Sequence, residues 1–115
     1  MLRYVLLSVF ALLLLTACGG SDLDKFEQSL FSECVECDLY GVDLSQAVLY
    51  RADLTGAYLS VADLTGADLT RADLTDARLA GADLNGANLY GAILDDVIGA
   101  DLTGALNVPK KYLKD

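Results

Sequence analysis

Leucine returns every fifth residue twelve times without a gap, at Leu39, Leu44, Leu49, Leu54, Leu59, Leu64, Leu69, Leu74, Leu79, Leu84, Leu89 and Leu94. A fixed short period of this kind marks a repeat architecture and decides what the chain can fold into. On an α-helix each five-residue step turns the leucine by a net ~140°, so the leucines would circle the axis instead of lining one face. Extended chain accommodates them. Two residues before each Leu stands a small or moderate apolar residue: Cys37, Val42, and then Ala from Ala47 through Ala92. The residue between the two is Asp in seven of the twelve units, as in Ala52-Asp53-Leu54, and the two after Leu are mostly hydroxyl-bearing, charged or Gly. The unit Ala-Asp-Leu-x-x therefore points in, out, in, out, out. Its second consecutive outward residue resets the two-residue alternation of a strand once per unit. The chain must turn a corner every five residues. Corners of one hand wind a solenoid in which Leu and Ala stack coil on coil about 4.8 Å apart, each coil pairing its backbone with the next.

These residues resemble the pentapeptide-repeat family over Cys37 to Asp96 and, displaced, over Ala100 to Gly104. The resemblance implies an all-β fold, a right-handed quadrilateral β-helix with four units per coil, Leu at the middle of each side and Ala near the corner. Twelve units then make about three coils. So small a solenoid needs its ends closed. Behind Ser21-Asp22, the residues Leu23, Phe26 and Leu30 fall on one helical face, and 22–33 reads as a short N-terminal helical cap. At the other end Gly99 stands where Leu is due and the register resumes three residues late, which leaves open a partial fourth coil or a tail folded across the opening. Leu106, Val108, Tyr112 and Leu113 are placed to cover the last coil, and Pro109 ends further pairing.

The N-terminus has a different logic. Met1-Leu2-Arg3 and the apolar run Tyr4 to Leu15 have the charge and length of an export signal, well short of a ~20-residue membrane span. The run ends in Leu15-Thr16-Ala17-Cys18, which resembles the bacterial lipobox at every position. That resemblance implies cleavage before Cys18 and a diacylglycerol on its thiol, with Gly19 after it pointing to the outer membrane facing the periplasm in a Gram-negative cell, or otherwise to the cell surface. The chain then divides into a signal peptide (1–17), a lipid-anchored linker and helical cap (18–36), a β-helix (37–104) and a capping tail (105–115).

Charge and composition narrow the chemistry. The chain carries 8 basic and 17 acidic side chains and no His. Removing the segment before Cys18, whose only charge is Arg3, leaves 7 basic against 17 acidic. Such a surface repels nucleic acid and anionic headgroups. Without His, Ser-His-Asp and Cys-His catalysis are absent, as is the commonest transition-metal ligand. No phosphate-cradling Gly loop is visible, and the carboxylates point outward rather than into a cleft. We expect no enzyme activity, no cofactor and no metal.

Cys34-Val35-Glu36-Cys37 is a CxxC in an exported chain, so packing or a structural disulfide between Cys34 and Cys37 comes before redox catalysis or metal binding. Pentapeptide-repeat proteins often begin with a Cys-x-x-Cys-Asp-Leu run like Cys34 to Leu39, and Cys37 occupies the inward small-residue position of the first unit. If four units close a coil, residues twenty apart lie above one another. Asp43, Asp63 and Asp83 then form one column, read as solvated carboxylates bonded to nearby backbone. Tyr50, Thr70 and Tyr90 form another beside Arg51, Arg71 and Gly91. This second column is expected to be the only face combining aromatics with cations, and Tyr50, Arg51, Arg71 and Tyr90 are the candidate anchors for a protein partner.

The function expected is a non-catalytic envelope scaffold that presents rigid faces to another protein. An acidic DNA mimic that binds a DNA-handling enzyme, as some family members do, is the alternative, and a CxxC thiol protein is a third. The anchor is testable by intact mass: protein purified from membranes should begin at Cys18 and carry lipid. An unmodified thiol, or a cut elsewhere, would overturn the assignment, and Cys18→Ser should leave the chain unprocessed or release it from the membrane fraction.

Overall fold

The computed structural model describes residues 34–114. The signal segment, Cys18 and the helical cap expected at 22–33 lie outside the described residues. From Cys34 onward the chain winds as a solenoid whose parallel bridges join residues twenty apart: Asp38 with Tyr58, Asp43 with Asp63, Val48 with Asp68, Asp53 with Asp73, and so on up the stack. Five residues per side and twenty per coil give a coil of four sides. We call them wall 1 (37–41, 57–61, 77–81), wall 2 (42–46, 62–66, 82–86), wall 3 (47–51, 67–71, 87–91) and wall 4 (52–56, 72–76, 92–96).

The interior is the Leu and Ala lattice. All twelve leucines from Leu39 to Leu94 are 2% exposed or less, and the small residues beside them, from Cys37 to Ala92, 7% or less. Outward residues alternate with them along every wall, as the period requires.

Backbone accounting explains the rest of the unit. In the unit 62–66, Ala62 N–H donates to Leu59 O at 3.1 Å across the corner, and Asp63 N–H donates to Val42 O at 2.9 Å in the coil below. Leu64 N–H donates to Asp83 O at 2.8 Å and Gly66 N–H to Asn85 O at 2.9 Å, both in the coil above. One N–H of the five is left, that of Thr65, and it donates to the Asp63 carboxylate at 2.9 Å. The same side-chain bond recurs at Asp43 to Ser45, Asp53 to Thr55, Asp68 to Thr70, Asp73 to Thr75 and Asp83 to Asn85. Asp therefore recurs at the middle of the wall because it satisfies the single donor that the coil-to-coil ladder leaves over. Val48, Tyr58, Arg78 and Ile93 offer no such acceptor, and their outward side chains are free to serve something else.

Each corner needs a left-handed residue at the fifth position. It is Gly at Gly41, Gly56, Gly66, Gly81, Gly86 and Gly91, but Gln46, Arg51, Val61, Arg71 and Asp76 adopt the same positive φ. Positive φ at the second central residue only is the type II turn. For the β-branched Val61, at φ 63, this conformation costs about 1–2 kcal/mol, so the coil imposes the corner even where the residue resists it.

Both ends differ from the expectation. The ladder starts before Cys37, because Cys34 N–H donates to Asp53 O at 2.7 Å and Glu36 N–H to Thr55 O at 2.7 Å. Cys34 thus fills the leucine position of an incomplete preceding unit. At the top, Ile98 pairs with Arg78 twenty residues back, whereas Leu106 pairs with Asn88 eighteen back. Two residues are missing from the fourth coil, and the loss falls in the three-residue side Val97-Ile98-Gly99. The tail does both things the sequence left open: 97–107 forms a partial coil, and the chain then crosses the opening through a 3-10 helix, Lys110–Tyr112, entered from Pro109. Val108 and Tyr112 pack on the core. Leu106 and Leu113 do not cover it: Leu106 takes the outward middle of wall 3 and is 53% exposed, and Leu113 is 54% exposed.

Tyr112 holds the tail down. Its hydroxyl accepts from Leu94 N–H at 2.8 Å and donates to Asp95 at 2.7 Å, while Lys111 Nζ reaches the same carboxylate oxygen at 2.9 Å and lies 4.6 Å from the Tyr112 ring centroid. The bonds from Lys111 and then Tyr112 hold the Asp95 carboxyl below its ordinary 3.8. Tyr112 and Asp95 in turn raise Lys111 above its ordinary 10.5. A carboxyl depressed in the folded state contributes its stabilisation fully above 3.8 and loses it as pH falls through the folded value. The cation's contribution is present below 10.5 and fades only as pH rises beyond its folded value.

Two outcomes follow. Leu69→Ala should cost about 2–5 kcal/mol and Thr70→Ala within about 0.5, since Leu69 is packed above and below and Thr70 points outward. Equal losses in denaturant midpoints would refute the in-and-out assignment. Tail protection, read by amide exchange at Leu94, should persist from neutral pH down to about 4 and then fail, whereas Asp95→Asn should expose that amide already at neutral pH. Identical profiles for the two proteins would show that the clasp does not hold the tail.

Candidate protein-binding surface

The four candidate anchors are brought together on one corner, between walls 3 and 4. Tyr50 and Arg51 occupy it in the first coil, Thr70 and Arg71 in the second, Tyr90 and Gly91 in the third. The backbone stacks them directly: Arg51 N–H donates to Thr70 O at 2.9 Å and Arg71 N–H to Tyr90 O at 2.8 Å. Left-handed geometry at Arg51 and Arg71, both at φ 58, turns their side chains off the coil at the corner. The Arg51 guanidinium lies 5.3 Å from the Tyr50 ring centroid, a contact worth about 0.5–1 kcal/mol at an exposed site. Tyr50 is 49% and Tyr90 60% exposed. Among the described residues no carboxylate forms an ion pair with Arg51 or Arg71.

The clasped tail adds what the sequence reading missed. An open groove of about 660 Å³ runs beside Arg71 and Tyr90 and is completed by Asn107, Val108, Pro109 and Lys110. Asn107 Nδ2 donates to Asn88 Oδ1 at 2.9 Å and fixes that edge. No twenty-residue column points to these residues, because the two-residue deficit of the fourth coil moves them out of phase.

This corner is not the only place where aromatics meet cations, which corrects the expectation. On wall 1 the Arg78 guanidinium lies 4.6 Å from the Tyr58 ring centroid, one coil above it. The two are twenty residues apart, so the column rule contained the signal. It was missed because Tyr and Arg here stand at the middle of the wall, where Asp is usual, rather than at the corner.

Charge is sorted by wall. Wall 2 carries Asp43, Asp63 and Asp83, continued by Asp101 in the fourth coil, and wall 4 carries Asp53, Asp73, Asp76, Asp95 and Asp96. Wall 1 holds Asp38 and Arg78, and wall 3 holds Asp68 with Arg51 and Arg71. Bonds from the Thr103 hydroxyl and then its N–H hold Asp101 below the ordinary carboxylate value. Among the described residues no group of three potential ligands converges as a metal site.

The cysteines lie at the opposite end. Their sulfurs are 2.10 Å apart and their Cα atoms 5.2 Å apart, a disulfide that closes the first corner from inside. Cys34 is 1% and Cys37 7% exposed, one in the Leu position and one in the Ala position. The pair thus replaces the packed Leu–Ala contact of the other corners with a covalent one.

These features have counterparts in known proteins. The family model of pentapeptide repeats matches residues 32–71 and 62–106, with 8 copies. A pentapeptide repeat protein from the Arabidopsis thaliana thylakoid lumen is similar in structure, with TM-score 0.58 and 32% identity over 61% of this chain, which spans 50% of that protein. HetL, a pentapeptide repeat protein of the cyanobacterium Nostoc involved in heterocyst differentiation regulation, is 36% identical over 65% of this chain and 36% of its own, with TM-score 0.36. A pentapeptide repeat protein from the cyanobacterium Cyanothece is 30% identical over 66% of this chain and 60% of its own, with TM-score 0.35. Among curated proteins none matches. The family's fold is the quadrilateral β-helix that the twenty-residue register builds here, and the chain is a member of the pentapeptide repeat family.

Proposed function

We propose that the chain is a non-catalytic scaffold, anchored in the cell envelope through lipid on Cys18, that holds another protein against its outer walls. One observation carries this reading: the interior is filled. Leu and Ala side chains occupy it from Leu39 to Leu94 with almost no exposure, so that among the described residues the coil holds side chains where a substrate or cofactor would need space. Chemistry is thereby confined to flat, regular walls, which suit recognition by complementarity better than a reaction that needs converging groups in a dry cleft.

The corner of Tyr50, Arg51, Arg71 and Tyr90 is the first contact surface, because it sets aromatic and guanidinium anchors beside a groove on an otherwise acidic molecule. Cys34 and Cys37 act as a staple of the first coil, since both are too buried to exchange thiols readily. The outer membrane facing the periplasm, or the cell surface, is the site of action that goes with the anchor. An acidic, DNA-like rod is the alternative supported by walls 2 and 4, but three complete coils and an export signal favour the envelope scaffold.

Crosslinking of the full-length protein in membranes, followed by recovery, tests the reading. Tyr50→Ala with Arg71→Glu should abolish recovery of a crosslinked partner while leaving the unfolding midpoint within the small range expected of surface changes. Unchanged recovery would exclude this corner, and a purified protein that turned over substrate or bound a DNA-handling enzyme would overturn the scaffold reading.

A further inference from the structure

Around the groove beside Arg71 and Tyr90 the chain gives up its acid. Three other hollows among the described residues contain carboxylates: Asp101 at the top of the stack, Asp83 and Asp101 on wall 2, and Glu36 and Asp38 on wall 1. The groove of about 660 Å³ at the corner of walls 3 and 4 contains none, and Arg71 and Lys110 both line it. Neither cation is in an ion pair among the described residues. The flanking walls change at the same level. In the third coil the position usually held by Asp is Asn88 on wall 3 and Ile93 on wall 4, and above Asn88 it is Leu106. Asn88 Oδ1 accepts from Tyr90 N–H at 3.2 Å and from Asn107 Nδ2 at 2.9 Å, and a carboxylate would accept both bonds equally well. Backbone pairing therefore does not require Asn here. What Asn removes, relative to Asp, is the negative charge.

We propose, on the basis of the partner corner described above, that this groove binds an extended acidic segment of that partner, with carboxylates on Arg71 and Lys110. Charge complementarity decides the occupant, because on a chain of 17 acidic and 8 basic side chains this hollow is cationic and its upper rim neutral. Asp68 and Asp73 flank Arg71 in its own coil, but they are turned to the N–H groups of Thr70 and Thr75 at 3.0 and 2.9 Å. Arg71 offers a planar fork that takes a carboxylate in two parallel bonds, and Lys110 a point charge. Tyr90, Val108 and Pro109 give the same groove apolar surface, which a bare anion would leave uncovered and a peptide covers. The far edge is preformed: Asn107 is bonded to Asn88, and the Tyr112 hydroxyl holds the tail on Leu94 N–H and Asp95. Pairs this exposed give binding that added salt weakens.

Fluorescence anisotropy of a dye-labelled hexapeptide alternating Glu with Ala, titrated with the full-length protein in nonionic detergent, tests this. The peptide should bind, and its counterpart with Gln for Glu about tenfold more weakly. Lys110→Glu should weaken the Glu peptide about tenfold or more, whereas Arg78→Glu, the same charge change on wall 1, should leave it unchanged. Asn88→Asp should weaken it severalfold with the unfolding midpoint inside the small range of surface changes, since it keeps both hydrogen bonds and adds only charge; this variant remains informative if Lys110→Glu disturbs the tail. Absence of binding, equal binding of the Gln peptide, indifference to Lys110→Glu or to Asn88→Asp, or equal weakening by Arg78→Glu would each overturn the proposal. So would inorganic phosphate or phosphatidylglycerol vesicles that displace the peptide at equal anion concentration, which would mark a general anion surface. If the partner crosslink is lost with Tyr50→Ala and Arg71→Glu while the peptide fails these tests, the corner stands and the acidic segment alone falls.

Discussion

Backbone pairing between coils is the constraint on which everything else rests. A five-residue unit has five N–H groups, and the solenoid places four of them on backbone carbonyls: one across its own corner, one below and two above. Through the first three coils that distribution makes each coil repeat the one beneath it at a spacing of twenty, and the shortened fourth coil rejoins the ladder at eighteen. The register then dictates the side chains. Leu and the small residue must point inward because the pleat sends them there, the fifth residue must be left-handed to turn the corner, and the outward residue between the small one and Leu is best an Asp because one donor remains. Hydrophobic burial stabilises the stack, but the ladder decides which positions receive it.

Most of this was legible in the chain because a strict period leaves little freedom. The twelve leucines exclude a helix and require corners, and the twenty-residue column rule alone places Tyr50, Arg51, Arg71 and Tyr90 on one corner. What escaped has physical causes. Cys34 stands five residues before Leu39 and so extends the leucine series downward, but its CxxC pairing with Cys37 masks that inward position. The truncated side Val97-Ile98-Gly99 could be seen as a break, yet its size depends on whether backbone pairing can resume over a shortened side, which no local pattern states. Leu106 was assigned to the core by hydrophobicity alone, although the resumed register makes it an outward wall residue. The strained corner at Val61 is invisible locally, since only the coils above and below compel it.

Where Asp departs from the middle of a wall, the backbone loses a side-chain bond worth about 0.5–1.5 kcal/mol and the surface gains a different side chain. The departures are not scattered. They fall at Val48 and Asn88 on wall 3, Tyr58 and Arg78 on wall 1, and Ile93 on wall 4, whereas wall 2 keeps Asp in every coil; of these five only Asn88 retains the bond, from Tyr90 N–H. Large exposed apolar residues are also unevenly placed: Tyr40, Tyr58, Val61 and Ile98 lie along wall 1, Val48, Tyr50, Tyr90 and Leu106 along wall 3, Val35 and Ile93 along wall 4, and none on wall 2. Walls 1 and 3 are opposite sides of the coil. Most of the ring, guanidinium and aliphatic surface that replaces acid is thus exposed on these two walls.

The ends of the stack decide whether it can be extended along its axis. A β-helix with an open end presents a coil of unpaired N–H and C=O groups, a template on which another copy could add itself without limit. Here the upper end is made unsuitable for that. Pro109, which has no N–H, begins the segment that crosses the opening. Tyr112 then spends its hydroxyl on Leu94 N–H and Asp95, which holds that segment in place. Addition of another copy along the axis is thereby opposed at this end by the backbone itself.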